Sequence, residues 1–449
     1  MRSKRQVQVR QGARAAVLLA VASLSACSTL NSVKETFLGG DASANGPQRL
    51  EGFIGAVVAD EPRAALAGRE VLALGGNAAD AAVALGFTLA VTLPSRAGLG
   101  GGGACLAYNR KTDGPGNGSP EAIVFTPVAP TASNGPTDRP AALPMMARGL
   151  FALHARYGSR PFETLVAPAE QSARFGVAIS KALLQDLALV AGPLAQDPSA
   201  RAVFAPGGKP LQEGGRLNQP DLGATLAQLR TAGVGDLYQG TLARKLEEAS
   251  RLAGGGMTVG DLRAALPRIG APQVVRTGRD SAAFLPTEGG QAAAAAFQAL
   301  QDDKAAPARG GVLPASTGFA VLDRNGNSVA CAVTMDNLFG TGRIAPGTGI
   351  LLAASPRGVS PPLLAAALVW NENIHAFRAA VTGTGQNGAA LAAATALSNT
   401  LRSGNAMPAK VPEPGRANVI ACARYLPDSE GSCSAAIDPR SAGLVAGSN

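Results

Sequence analysis

The hydrophobic pattern changes period along the chain. The run GFIGAVVA from Gly52 is short, apolar and nearly unbroken, which predicts a buried strand. Directly after it, EPRAALAGREVLALGGNAADAAVALGFTLAVT carries apolar residues at helical spacing, interrupted at Gly75-Gly76. This predicts two helices, with Asn77 and Asp80 available to cap the second. A glycine-rich turn, PSRAGLGGGG, leads into the strand-like ACLAY, and AIVF predicts another strand. Between 143 and about 305, segments such as PMMARGLFALHARYG, PFETLVAPAEQSARFG and GTLARKLEEASRLAG repeat apolar positions every three to four residues, so this stretch is predicted mainly helical. Beyond it lie a hairpin pattern centred on Asn325-Gly326, strand-like GILLAA and FRAAVTG, a helix closed by Gly404, and a late strand, ANVIACARYL. Strands at both ends with helices gathered between them predict a layered α+β fold around one core that runs the length of the chain.

Composition agrees with a large globular chain, being 46% hydrophobic and 16% charged. The formal charge of +9 is misleading about partners, because Arg2, Lys4, Arg5, Arg10 and Arg14 supply five of the positive charges. Aromatic residues are 4% of the chain, and no basic run is interleaved with them, so nucleic acid is not an expected partner. The early charges precede AAVLLAVASLSAC, which is too short to span a bilayer and has the layout of an export signal. Leu24-Ser25-Ala26-Cys27 resembles the lipobox of bacterial lipoproteins. Residues 1–26 are therefore expected to be a signal peptide, Cys27 the lipidated residue, and 27–48 a polar tether to a periplasm-facing body. Ordinary cleavage with an incidental Cys27 is the alternative.

Export permits disulfides. Cys422 and Cys433 bracket a turn-rich loop and are expected to pair, whereas Cys105 and Cys331, in apolar strand-like runs, are expected to be buried and unpaired. With His154 and His375 far apart and no C-x-x-C, neither a metal nor an organic cofactor is expected. Gly98, Gly100 and Gly103 spell G-x-G-x-x-G, yet a helix precedes them and a strand follows, the reverse of a dinucleotide site.

The hairpin carries the candidate chemistry. A two-residue turn at Asn325-Gly326 pairs Thr317 with Thr334, and a one-residue bulge pairs Ser316 with Thr334 instead. Both registers bring Thr334 beside Ser316 and Thr317. A hydroxyl at the start of a strand suits a chain that cuts the peptide bond before it. The freed residue then carries a nucleophile and its own α-amine as base. No G-x-S-x-G or S-x-x-K motif offers another serine design.

The segments EVLALGGNAADAAVA, PSRAGLGGGGACLAY, VFTPVAP, GDLYQGTLARKL, GGGMTVGDLRA, FAVLDRNGNSVACAVTMDNLFGTG and PGTGILL, in this order, resemble the γ-glutamyltranspeptidases. These are N-terminal-nucleophile hydrolases built as a four-layer αββα sandwich and made as self-cleaving precursors. The resemblance implies a large-subunit-like region, 49–315, and a small-subunit-like region, 316–449, within one such domain. It places the nucleophile on Ser316 and its neighbouring hydroxyl on Thr317. It also makes Thr334 the hydrogen-bonding partner of the nucleophile, Asp336 a substrate contact, and Gln386-Asn387 the oxyanion element. The family's carboxylate-binding arginine falls on Thr126, its ammonium-binding acid on Gly358, and the histidine of its Thr-Thr-His on Gly318. The clamp for an α-amino acid is thus absent at its usual positions, with Arg96, Arg343 or Arg357 as candidate relocated cations. Two readings follow: a self-processing hydrolase or acyltransferase acting on γ-glutamyl or related amides, or an unprocessed envelope binding or structural lipoprotein.

Overall fold

The computed structural model describes residues 49–131, 138–305 and 315–447, and Leu50–Asn449 form one unit. The expectations for residues 1–48, including Cys27, lie outside the described residues. In chain order the strands are β1 (Gly55–Ala59), β2 (Gly102–Tyr108), β3 (Glu121–Phe125), β4 (Val177–Ala178), β5 (Arg216–Leu217) and β6 (Arg268–Gly270). They continue with β7 (Gln273–Thr277), β8 (Asp280–Phe284), β9 (Ser316–Asp323), β10 (Ser328–Thr334), β11 (Ile344–Ala345) and β12 (Ile350–Leu351). The last five are β13 (Ala365–Asn371), β14 (Ala376–Thr384), β15 (Arg416–Leu426), β16 (Cys433–Ile437) and β17 (Leu444–Gly447).

Two antiparallel sheets carry the fold: a seven-stranded one in the order β17-β1-β9-β10-β2-β3-β6 and a six-stranded one in the order β16-β15-β14-β13-β8-β7. Strand alternation sends every second residue to the layer between them, and small side chains dominate there: Ala56, Ala104, Ala320, Ala330 and Ala332 from the first sheet, Ala283, Ala366 and Ala380 from the second. The outer face of the first sheet, with Val57, Cys105, Phe319 and Val321, packs under helices that include Ala78–Thr92 and Met146–Tyr157. The outer face of the second, with Phe284, Val369 and Val419, packs under Glu288–Gln301 and Ala389–Ser403. The result is helix, sheet, sheet, helix. Asn77 and Asp80 form a reciprocal capping box at the helix they were expected to start.

Two expectations change. The mainly helical stretch 143–305 also holds strands that its pattern did not predict, among them β6, β7 and β8 over residues 268–284. Cys105 and Cys331, expected to be unpaired, are directly opposed on β2 and β10 and form a disulfide, with Cα atoms 4.0 Å apart. Register is the physical reason: antiparallel pairing set Cβ against Cβ across a distance in sequence that no local pattern encodes. Cys422 and Cys433 are likewise opposed, on β15 and β16, and are also bonded.

Candidate active site

Ser316 and Thr334 face each other at the open end of the β9-β10 hairpin. The register comes from the turn. Gly326 alone has positive φ, at 84°, while Asn325 does not, and the Gly326 N–H donates to the Asp323 carbonyl. This is a type I turn followed by a glycine bulge, which selects the second of the two registers the sequence allowed. Asp323 anchors that turn by accepting from the N–H groups of Asn325 and Asn327, from Asn327 Nδ2, and from the Ala78 N–H at the start of the adjacent helix. The turn thereby fixes where Ser316 falls.

At that end, the Thr334 hydroxyl donates to the carbonyl oxygen of Ala315 at 2.9 Å, and the Met335 N–H points at the same oxygen from 3.5 Å. The Asp336 N–H in turn donates to Thr334 Oγ1 at 2.8 Å. Ser316 is 1% exposed and its Oγ has no hydrogen-bond partner. Thr334 therefore holds the carbonyl that precedes Ser316 rather than the Ser316 hydroxyl. A hydroxyl donated to that oxygen draws electron density from the Ala315 carbonyl carbon.

Thr317, next along the strand, turns its hydroxyl to Asp60 Oδ2 at 2.8 Å. Asp60 also accepts from Asn418 Nδ2 at 2.9 Å and from Ser441 Oγ at 3.3 Å, and Asn418 Nδ2 reaches the Gly318 carbonyl as well. Thr317 thus positions the strand through a buried polar hub, and its hydroxyl is committed elsewhere than the Ala315 carbonyl. Sequence reasoning missed Asp60 and Asn418; the one local signal was an acid ending the apolar run of β1. Gly318, where the resemblance sets a histidine, lies against β14: a Cβ there would stand 2.7 Å from Thr382 Cβ and Oγ1.

A cavity of about 310 Å³ opens beside this end of the hairpin and is lined by Thr126, Thr334, Asp336, Arg268 and Glu288, with prolines and leucines between them. Thr126 and Asp336 therefore line one cavity. Asp336 is 3% exposed, adopts φ of 59°, and has an Oδ2 without a partner. Burial pushes its carboxyl up to about 7. Gly358 lies instead in a neighbouring cavity of about 300 Å³, with Asn337, Phe339 and Pro140. Gln386 and Asn387 open the short helical turn that follows β14 and do not line the Asp336 cavity.

Arg96 is not a substrate cation. It is 6% exposed and its guanidinium grips Asp186 with two nitrogens, at 2.7 and 2.5 Å, while Ser95 Oγ donates to the same carboxylate. A buried fork of this kind leaves no donor pair for a ligand carboxylate. Arg343 pairs with Asp138 at 2.9 Å. The cation that does line the Asp336 cavity is Arg268, on the β6 strand that the helical reading of 143–305 concealed. Among the described residues no cluster of metal-ligating side chains occurs, and no helix is long and apolar enough to cross a membrane.

A two-sheet sandwich between helical layers, with a buried hydroxyl at the start of a central strand, is the architecture of the N-terminal-nucleophile hydrolases. A cephalosporin acylase from Bacillus halodurans shares the fold with a TM-score of 0.70 over 91% of this chain and 99% of its own, at 17% identity. The Gamma-glutamyltranspeptidase family profile matches residues 64–306, more than half of the chain, and the chain belongs to that family. A glutathione hydrolase proenzyme of Bacillus subtilis is 32% identical over 46% of this chain and 37% of its own length. An acylase ACY 1 proenzyme of a Pseudomonas species is 34% identical over 47% and 41%. The matches span less than half the length of these curated relatives. The family profile ends before Ser316, so the hairpin's assignment rests on its geometry.

Proposed function

We propose that the chain is a self-processing amide hydrolase or acyltransferase that cuts its own Ala315–Ser316 bond and then acts on γ-glutamyl or related amides. The observation that carries this is the Ala315 carbonyl held by Thr334 Oγ1 beside an unpartnered Ser316 hydroxyl. Ser316 Oγ attacks the Ala315 carbonyl carbon through a five-membered ring, and the charge passes to Ala315 O. The C–N bond then breaks as the hydroxyl proton moves to the departing nitrogen, leaving an ester that water hydrolyses. The products are an Ala315 carboxylate and a Ser316 with a free hydroxyl and amine. That amine is the base for the next attack, on a substrate amide. Gln386 and Asn387 are the proposed oxyanion neighbours for that second reaction. Thr126, which has no charge and lines the cavity, favours as second reading a binding protein that never processes.

The test is a denaturing gel, run with reductant, of purified protein. Wild type resolves into two pieces and Ser316→Ala stays whole. Thr334→Ala, which removes one donor to Ala315 O, slows the cut by about 100-fold or more. An intact wild-type chain after long incubation favours the binding protein. We further infer an envelope location with Cys27 as the lipid-bearing residue, on the strength of the charged start, apolar run and Leu24-Ser25-Ala26-Cys27. Cys27→Ala is expected to move the protein from the membrane fraction to the soluble one; retention in the membrane overturns the lipid anchor.

A further inference from the structure

We propose that Asp60 is the counter-ion of the amine that the Ala315–Ser316 cut frees, and so sets the pH at which that amine becomes a base. This deepens the self-processing reading and rests on it for the cut; the facing of Asp60 toward Ser316 rests on strand geometry.

The Ala315 carbonyl points to the β10 side, where Thr334 Oγ1 and the Met335 N–H reach it. Across a trans peptide the next N–H points the opposite way, so the Ser316 nitrogen faces away from β10. Gly318, two residues on in the same strand, turns its N–H to that same side, and there it meets Asp60 Oδ2 at 3.5 Å. β1 ends at Ala59, opposite Phe319, so the side chain of Asp60, the next residue, takes the place of a strand beside the start of β9. With Thr317 Oγ1 2.8 Å from the same oxygen, the carboxylate lies roughly 5–8 Å from the Ser316 nitrogen.

Asp60 is 3% exposed, and the hydrogen bonds it accepts come from uncharged donors: Thr317, Gly318, Asn418 and Ser441. The other charged groups nearby are engaged elsewhere. Arg96 feels the Asp60 charge but is forked onto Asp186, Arg440 pairs with Asp438, and Glu61 turns to the Ala64 N–H and Thr92. Asp336 follows Thr334 on the β10 side, away from the Ser316 nitrogen. Once freed, the amine takes a proton from water, and a buried carboxylate at this range favours the charged form. Burial alone acts the other way, because it disfavours an ammonium.

The experiment follows the α-carbon NMR shift of Ser316 against pH in purified protein labelled at serine, the signal being identified by its absence from Ser316→Ala. In wild type the midpoint is expected at or above the ordinary α-amine range of about 7.7–8.0 despite burial, and in Asp60→Asn about one to two pH units lower. Asp60→Glu, which keeps the charge, is expected to titrate close to wild type. The acid limb of kcat/KM on γ-glutamyl p-nitroanilide should move with the midpoint. A wild-type midpoint below that range, one that Asp60→Asn leaves in place, or one that Asp60→Glu lowers as far overturns the counter-ion. If Asp60→Asn does not fold, the wild-type midpoint decides alone. A shifted midpoint without anilide turnover keeps the counter-ion and removes the γ-glutamyl substrate. A wild type that never cuts frees no amine, and both readings fall; one that cuts and titrates without regard to Asp60 loses only the counter-ion.

Discussion

Asp336 bears on stability, since a carboxyl raised to about 7 opposes folding wherever the unfolded chain would ionise. Between the ordinary carboxylate range and pH 7 the native state binds the extra proton, so this residue makes stability fall as pH rises, by at most on the order of 4 kcal/mol. Asp336→Asn is accordingly expected to be more stable than wild type at pH 7.5 and nearly equal to it at pH 4, which urea unfolding at the two pH values would read. Arg96 answers to the opposite logic. Its forked bond to Asp186 is buried, and removing either partner strands a charge, so Arg96→Ala should cost about 3–5 kcal/mol. Urea unfolding of the purified variant reads that loss, and a variant of normal stability would return Arg96 to the candidate ligand cations.

The β9-β10 hairpin shows which parts of the site were legible in sequence. Asn325-Gly326 located the turn, and the Ser-Thr start located the hydroxyls, because both are signals a few residues long. The choice between two registers depended on whether Asn325 or only Gly326 takes positive φ, and the anchoring of Asp323 on a distant helix bears on that. Gly326→Ala is expected to lose roughly 1–2 kcal/mol, since a Cβ there is strained at φ of 84° and stands 2.8 Å from the Leu426 carbonyl; thermal unfolding reads it. Gly318→Ala presses on Thr382 and should cost about 1–3 kcal/mol, which is also why a histidine does not fit that position as the sheets now stand. The capping box at Asn77 and Asp80 was legible for the same local reason. Asp60, Asn418 and the Cys105–Cys331 pair were not: each is defined by strands brought together from far apart in the chain. Residues 268–284 were not legible because three short strands lie inside a stretch whose dominant pattern is helical.

At the scale of the whole molecule, a cut at Ala315 would not divide the fold into separable halves. β1, β2, β3 and β6 come from before it and β9, β10 and β17 from after it, yet all lie in one sheet. The disulfide between Cys105 and Cys331 crosses the same divide, one sulfur on each side of the cut, whereas Cys422–Cys433 lies wholly within the later piece. A processed molecule would therefore be two chains held by a covalent bond, a heterodimer unable to part by dilution. Without reductant it should run as one band, and with reductant as two. Its thermal midpoint should not change with protein concentration while the bond is intact, because the pieces meet at a fixed effective concentration. After reduction the midpoint should rise with concentration, as mass action requires of separate partners.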